Sequence, residues 1–480
     1  MNVVNEAGSA AVSKDVGAAS SSDGMQGRAR AWAMAVILTG LMLCVLDSTM
    51  LTLALPHLAR QWRIEPAMTL WVVNANQIAS LVLLLPLAAL GDRLGYKRVY
   101  LWGMLVFGVA SVLAVLAPSL TWLIVARALQ GVGMAGVFSV NGALVRQIYP
   151  RAMLGRGMAM NSMVVALSTV MGPVVAAAVL SFVSWRWLFV AHLPVALWVC
   201  WLGWRFLPKP PSFIGGQGLS YWDVALNIVM FASIFLALDR LSHYQAGNSL
   251  WWPVLWLVLG VVAAVVYVRR QRRESQPMLP LDLLRIPVFA LSMGASVCAF
   301  SAQTIAFLAL PFLLMEAHAV STAQVGLIIS AWPLALAVVA PLVGRQIGRV
   351  SAAHLGLMGM GLFAVGLWAL ALMPVGADAL EIAWRMALCG MGFALFQSPN
   401  NHTIVTSAPV QRSGAASGML GTARHIGQAL GAVLLAGCFV LWPGTSGAAE
   451  QHAMWLAGGL ALLASVLSGC RRTPVAGAAP

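Results

Sequence analysis

Residues 46–56 read Leu-Asp-Ser-Thr-Met-Leu-Thr-Leu-Ala-Leu-Pro and lie inside a long apolar run that begins near Trp32. Asp47 is the only acidic or basic residue between Arg30 and His57. A charged side chain deep in a membrane helix costs about 2.5–3.5 kcal/mol on insertion scales, and residues that bear this cost are usually functional. The stretch therefore predicts a membrane helix with a working carboxylate. The alternative is a packing carboxylate satisfied by neighbouring hydroxyls.

Composition restricts the class of protein. Of the 480 residues, 60% are hydrophobic and 9% are charged, whereas soluble proteins carry about 25% charged residues. The net charge of +14 comes from basic residues in short loops between apolar runs, a pattern that encodes membrane topology and does not suggest nucleic-acid binding. The six cysteines are scattered singly. The sequence therefore predicts an integral membrane protein with neither a metal site nor an enzymatic nucleophile.

Apolar runs long enough to cross a bilayer recur from Trp32 onward. We place fourteen spans near 32–55, 70–90, 98–117, 120–143, 158–181, 187–207, 221–240, 250–268, 288–314, 324–343, 354–373, 380–397, 415–441 and 452–470. With both termini cytoplasmic, most loop lysines and arginines fall inside, as the positive-inside rule requires. The loop basic residues left outside are Arg60, Arg63, Arg186, Arg240 and Arg385. Losing or adding one span would invert half of this pattern.

The loop after the second span is short and dense in charge. It reads Gly91-Asp92-Arg93-Leu94-Gly95-Tyr96-Lys97-Arg98. It resembles the loop signature of the major facilitator superfamily, Gly-x-x-x-Asp-Arg-x-Gly-Arg-Lys, although Ala88 replaces the first glycine and Tyr96 a basic residue. The resemblance implies a gate in which Asp92 and Arg93 latch against the other half of the protein. Topology alone would explain Lys97 and Arg98 but not Asp92, because acids contribute little to orientation.

The fourth span contains Arg127, Gln130, Gly131 and Gly133 in a segment that resembles the family's Arg-x-x-Gln-Gly-x-Gly motif, which is associated with proton coupling. Asp47 lies about eight residues, roughly 12 Å, from the outer end of its span, and Arg127 about seven residues, roughly 10 Å. We expect Asp47 and Arg127 to interact directly or through Gln130, with Asp47 protonation changing the pairing. The alternative is a permanent structural ion pair.

The fifth span carries Gly172-Pro173, which resembles the core of an antiporter signature and predicts a helix kink. Longer matches, among them 185–189, 278–285, 396–401 and 424–431, resemble the fourteen-span drug:proton antiporters. The resemblance implies an all-α major facilitator fold. Its parts would be a disordered cytoplasmic tail at 1–31, a six-helix half at 32–207, two inserted helices with a basic loop at 208–287, a second six-helix half at 288–470 and a tail at 471–480.

The same resemblance implies proton-driven export of lipophilic cations from the bacterial inner membrane, by a monomer that needs no cofactor and contacts membrane lipids. Polar residues inside the spans are cavity candidates, although interhelical hydrogen bonds would explain them equally well. They are Asn74, Gln77, Gln303, Gln397, Asn400 and Arg424. His192 is expected to be a packing residue. The rival functions are a carrier for a siderophore, organic acid or amino acid, and a non-transporting scaffold or sensor.

Overall fold

The computed structural model describes residues 24–63, 66–69, 71–208, 220–242, 251–272, 274, 278–314, 322–374, 376–442 and 447–471. The first helix begins at Gly27, so residues 27–31 of the predicted disordered tail are helical. At the other end, Arg471 is 2% exposed and lies over the Phe396 ring. Burial lowers the pKa of Arg471 to about 10. Residues 1–23 and 472–480 of the predicted tails lie outside the described residues.

The N-terminal helices account for the first six predicted spans. They are α1 (Gly27–Trp62), α2 (Pro66–Thr69), α3 (Trp71–Leu94), α4 (Tyr96–Val115), α5 (Leu120–Ile148), α6 (Leu154–Phe182), α7 (Arg186–Val190) and α8 (His192–Phe206). The sixth span is divided at Ala191. Pro194 has no N–H to donate to the carbonyl of Val190, four residues earlier, and its ring crowds that carbonyl, so the helix is interrupted here.

The remaining helices account for the last eight predicted spans. They are α9 (Tyr221–Ser242), α10 (Trp251–Gln271), α11 (Pro287–Phe312), α12 (Thr322–Gln346), α13 (Ala352–Ala371), α14 (Ala379–Ser407), α15 (Ser413–Leu441) and α16 (Ala448–Gly469). Within the described chain, twelve helical stretches are long and apolar enough to cross a bilayer. The other two long helices are α9, apolar over Tyr221–Ala237, and α15, so the count of fourteen spans stays a prediction.

Close glycine contacts reveal an internal repeat. A methyl group on Gly133 would lie 2.6 Å from the Gly103 carbonyl oxygen, which joins α5 to α4. A methyl group on Gly392 would lie 2.6 Å from the Gly359 carbonyl oxygen, which joins α14 to α13. Small residues allow membrane helices to approach in this way. The same packing device therefore holds corresponding helix pairs in the two parts of the chain.

The helices α9 and α10 pack beside α3 and α15. Asn227 of α9 donates a hydrogen bond to the Val82 carbonyl of α3 at 2.6 Å. Arg270 of α10 forms an ion pair with Asp223 of α9. One apolar cluster joins residues of all four helices with Phe289 of α11. The inserted pair therefore covers one flank of the junction between the N-terminal and C-terminal helices, while the predicted boundaries at 207 and 288 stay predictions.

One end of the bundle brings the two halves together. We call it the basic face, because it carries the loop at 91–98, the connection at 149–153 and the connection at 408–412. There, Gly418 of α15 lies against Ala88 of α3, and Gly155 of α6 lies against Ile347, which follows α12. Ser398 of α14 donates a hydrogen bond to Ser162 of α6 at 3.1 Å. The structure is therefore closed at this face.

Candidate functional site

Asp47 lies in a buried polar cluster formed by α1, α4 and α5. Arg127 Nη1 donates hydrogen bonds to both carboxylate oxygens of Asp47, at 2.7 and 2.9 Å. Gln130, one helical turn beyond Arg127, donates from Nε2 to Asp47 Oδ1 and to Ser111 Oγ, both at 3.1 Å. Arg127 Nε donates to the Val72 carbonyl at 3.1 Å. The structure thus brings the three predicted coupling residues into direct contact.

The cluster is shielded from solvent. The side chains of Asp47 and Arg127 are each 1% exposed. Removing one partner from a buried ion pair typically costs about 3–5 kcal/mol, because the other charge stays buried and unpaired. A proton on Asp47 removes one partner in this sense. Protonation would therefore weaken the tie between α1 and α5, which is the kind of change that can couple a proton to a helix movement.

His192 is a residue of this site that the sequence did not identify. Its Nδ1 lies 3.7 Å from Asp47 Oδ1, too far for a hydrogen bond. Neither ring nitrogen has a hydrogen-bond partner among the described residues. The rings of Phe107 and Phe189 pack against the imidazole. A lone histidine in an apolar helix gives no local signal of such a neighbour, so only the tertiary structure could place it beside Asp47.

Gly172 of α6 supports the same region. A methyl group at this position would overlap the hydroxyl of Thr49, two residues beyond Asp47 on α1. The close approach of α1 and α6 therefore depends on the missing side chain. In the structure α6 is continuous from Leu154 to Phe182. The kink predicted at Gly172-Pro173 stays a prediction.

We expect Gly172→Ala to lower transport by about tenfold, because overpacking of about 1–3 kcal/mol would push α6 away from α1. Transport into inverted membrane vesicles measures the effect at equal protein level. The second substitution Thr49→Gly removes the group that the new methyl meets and should restore most of the activity. An unchanged rate in Gly172→Ala would show that the contact is not needed.

Asp92 joins the two halves at the basic face. Its carboxylate accepts hydrogen bonds from the backbone N–H groups of Gly414 at 2.8 Å and Ala415 at 2.9 Å. These residues open α15, and the first N–H groups of a helix have no partner within the helix. Tyr96, which departs from the family signature, donates its hydroxyl to Asp92 at 2.7 Å and accepts from Gly414 N–H. Asp92 thus caps a helix of the opposite half.

Arg146 makes the complementary contact, although nothing in the sequence distinguishes it from other loop arginines. Its Nη1 donates to the carbonyls of Val405 at 2.6 Å and Ala408 at 3.0 Å, where α14 ends. It also donates to Ser413 Oγ at 3.0 Å. A carboxylate at the start of one helix and a guanidinium at the end of another both match the helix dipole. We call Asp92, Tyr96 and Arg146 with these partners the latch.

The other predicted gate residues have different surroundings. Lys97 donates to the carbonyls of Trp204 and Leu207 at the end of α8, within its own half. Gly95 has a φ of +95°, which favours glycine, and Gly91 leaves room for Val140. Arg93 is half-buried, and Arg98 is exposed. Asp92 is therefore the predicted gate residue that the structure places in the latch.

Of the six cavity candidates, two are buried and four are at least partly exposed. Asn400 donates to Ser296 Oγ at 2.7 Å and so joins α14 to α11. This is the interhelical hydrogen bond that the sequence offered as the alternative to a cavity role. Gln397 is buried with an unpartnered Oε1 among the described residues. Asn74, Gln303 and Arg424 are partly exposed, and Gln77 is exposed.

Comparisons with known proteins identify the class. The sequence profile of the Major Facilitator Superfamily matches residues 37–432, and a second match covers 292–475. The chain belongs to this superfamily, whose members are transporters and not enzymes, and it is a multi-pass membrane protein.

Individual relatives have several functions. The chain is 44% identical to the uncharacterized transporter YebQ of Escherichia coli, over 94% of this chain and 97% of that protein. It is 28% identical to the multidrug efflux pump LfrA of Mycolicibacterium smegmatis, over 85% and 81% of the two chains. It is 26% identical to the riboflavin transporter RibZ of Clostridioides difficile, over 84% and 87%. The solved human organic anion transporter MFSD10 matches with a TM-score of 0.68 at 16% identity over 92% of this chain and all of that one, which shows the shared fold.

Proposed function

We propose that this protein exports hydrophobic small molecules across the bacterial inner membrane in exchange for protons. The contact of Asp47 with Arg127 and Gln130 carries the proposal. It contains a buried carboxylate, and a proton on that carboxylate must change its hydrogen bonds to Arg127 and Gln130. The protein would act as a monomer without a cofactor, driven by the proton gradient alone. One charge crossing 100 mV supplies about 2.3 kcal/mol.

The proposed cycle alternates access between the two faces. The positive-inside rule assigns the basic face, and with it both termini, to the cytoplasm. A structure closed at the basic face would then hold its substrate site toward the outside. Opening to the cytoplasm requires the latch of Asp92, Tyr96 and Arg146 to release. Rocking of two repeat halves about a site near the midplane is the usual way in which such folds move substrate.

Two observations bear on the kind of substrate. The multidrug pump among the relatives supports export of foreign hydrophobic compounds, and the resemblance to exporters of quaternary ammonium compounds suggests lipophilic cations. The riboflavin transporter supports the rival, a carrier for one particular solute. The third alternative, a non-transporting scaffold or sensor, is not favoured, because the members of this superfamily are transporters.

Uptake of dyes into inverted membrane vesicles tests the proposal. With an acidic lumen, the vesicles should accumulate several unrelated dyes, and a proton uncoupler should abolish the accumulation. Vesicles from cells that lack the protein serve as the control. Accumulation of riboflavin alone, or accumulation that the uncoupler leaves intact, would contradict proton-driven multidrug export.

A further inference from the structure

Arg424 is a second cation inside the helix bundle, and its surroundings differ from those of Arg127. Its guanidinium lies 5.2 Å from the centre of the Phe300 ring of α11. Its Nε is buried and has no hydrogen-bond partner among the described residues. The ion pairs found in the described chain do not include Arg424. A guanidinium that lies over an aromatic ring and is not paired with a carboxylate can still bind an anion.

The helix register places Arg424 between the two halves. Gly418 and Gly421 of α15 face Ala88 and Leu84 of α3. Arg424 lies three residues beyond Gly421, and residues three or four apart share a helix face. By the same spacing Arg424 shares a face with Gly427, which lies against Val297 and Phe300 of α11, so Arg424 lies between the side of α15 that meets α3 and the side that meets α11.

The helix α3 runs antiparallel to α15, and its face toward α15 can be followed in the same direction. Moving away from the basic face, Leu84 of α3 is followed on one helix face by Leu81 and Gln77. Gln77 and Gln428, which lies one turn beyond Arg424, are both exposed, whereas Ala88 is buried. The contact between α3 and α15 is thus tight at the basic face and gives way to polar, accessible side chains. Along α15, Arg424 lies between the tight contact at Gly418 and the exposed Gln428.

The buried acids decide whether Arg424 has a counter-ion within the described chain. Among the described residues, the buried acids Asp47 and Asp223 are each paired with an arginine, Arg127 and Arg270. Glu450 belongs to the first turn of α16, at the other end of the bundle from the latch. The charge of Arg424 is therefore not offset by these acids. Arginines at membrane depth normally pair or line a water-filled cavity.

We propose that Arg424 binds the anionic group of the transported compound, with Phe300 as the wall for its aromatic part. The substrate class is an aromatic organic anion that carries a carboxylate or sulfonate. This inference rests on the proposed export function. A lipophilic cation would meet a like charge at Arg424 and would have to displace Arg127 to reach Asp47.

Two dyes with the same xanthene core separate the charge classes: fluorescein, an anion at pH 7.5, and rhodamine 6G, a cation. Binding is measured by fluorescence polarisation on the full chain in phosphatidylcholine nanodiscs. Wild type should bind fluorescein more tightly than rhodamine 6G. Arg424→Gln should weaken fluorescein binding by about ten- to a hundredfold, the factor for a lost charge-assisted hydrogen bond. Arg424→Lys should retain most of it, and rhodamine 6G binding should not fall.

The controls keep the test decisive. Arg385→Gln removes a positive charge that pairs with Glu381 and should leave both dyes unaffected. Tighter binding of rhodamine 6G by wild type would overturn the inference without any variant. An equal loss of binding of both dyes in folded Arg424→Gln would also overturn it. So would a loss of fluorescein binding when phosphatidylglycerol is added to the nanodiscs, because Arg424 would then be a lipid-binding residue. No proton gradient is present, so a failure of proton coupling does not affect these outcomes.

Discussion

The substitution Asp47→Asn should abolish proton-driven transport while the protein still inserts in the membrane. Asparagine keeps the size of the side chain but can neither hold the charge that balances Arg127 nor exchange a proton. Dye accumulation in acid-loaded inverted vesicles should fall to the level of vesicles without the protein. Asp223→Asn is the matched control, because it removes a buried, arginine-paired carboxylate from α9. It should leave accumulation largely intact.

A double variant separates coupling from a structural ion pair. Asp47→Asn leaves Arg127 buried without its partner, so a loss of activity could reflect a cost in stability of about 3–5 kcal/mol. Asp47→Asn with Arg127→Gln removes both charges and should restore thermal stability. If Asp47 carries the proton, transport stays uncoupled in this stable double variant. If the pair is only structural, proton-driven accumulation returns with stability.

The second large effect is expected at the latch. Asp92→Asn replaces one of the two acceptor oxygens that meet Gly414 and Ala415 with an N–H₂ group. Hydrogen bonds to a charged group contribute about 1.5–3 kcal/mol, so the population open at the basic face should rise by about ten- to a hundredfold. Ser162→Cys, buried against Ser398, reports the opening in a background without native cysteines. A maleimide should label this cysteine faster in the Asp92→Asn protein.

Lys97→Gln provides the control for the latch. Lys97 belongs to the same loop, but its partners Trp204 and Leu207 lie in its own half. Its loss should therefore leave the labelling rate unchanged. Equal acceleration in both variants would show that the loop acts as a whole, and no acceleration in Asp92→Asn would remove Asp92 from the gate.

The pairing of Asp47 with Arg127 could be predicted from the sequence alone. Asp47 and Arg127 are costly charges in apolar runs, and counting residues from the span ends placed them at similar depths. The structure places their side chains in direct contact. Such depth counting works because a helix has a fixed rise per residue and the bilayer has a fixed thickness.

Other parts depend on contacts that no local pattern specifies. The partners of Asp92 are backbone N–H groups of Gly414 and Ala415, which are more than 300 residues away and carry no side-chain signal. Arg146 resembled any other loop arginine, because its acceptors are carbonyl groups at the end of α14. Arg424 was visible as a polar residue. Only the packing of α15 against α3 and α11 shows where it lies and which groups surround it.

Proton release on substrate binding tests the central claim most directly. Purified protein is placed in weakly buffered solution, a dye that the vesicle assay shows to be transported is added, and the pH change is recorded. The account predicts that the wild-type protein releases protons when the dye binds and that Asp47→Asn releases none while still binding it. Equal proton release by both proteins would contradict the assignment of Asp47 as the residue that exchanges the proton.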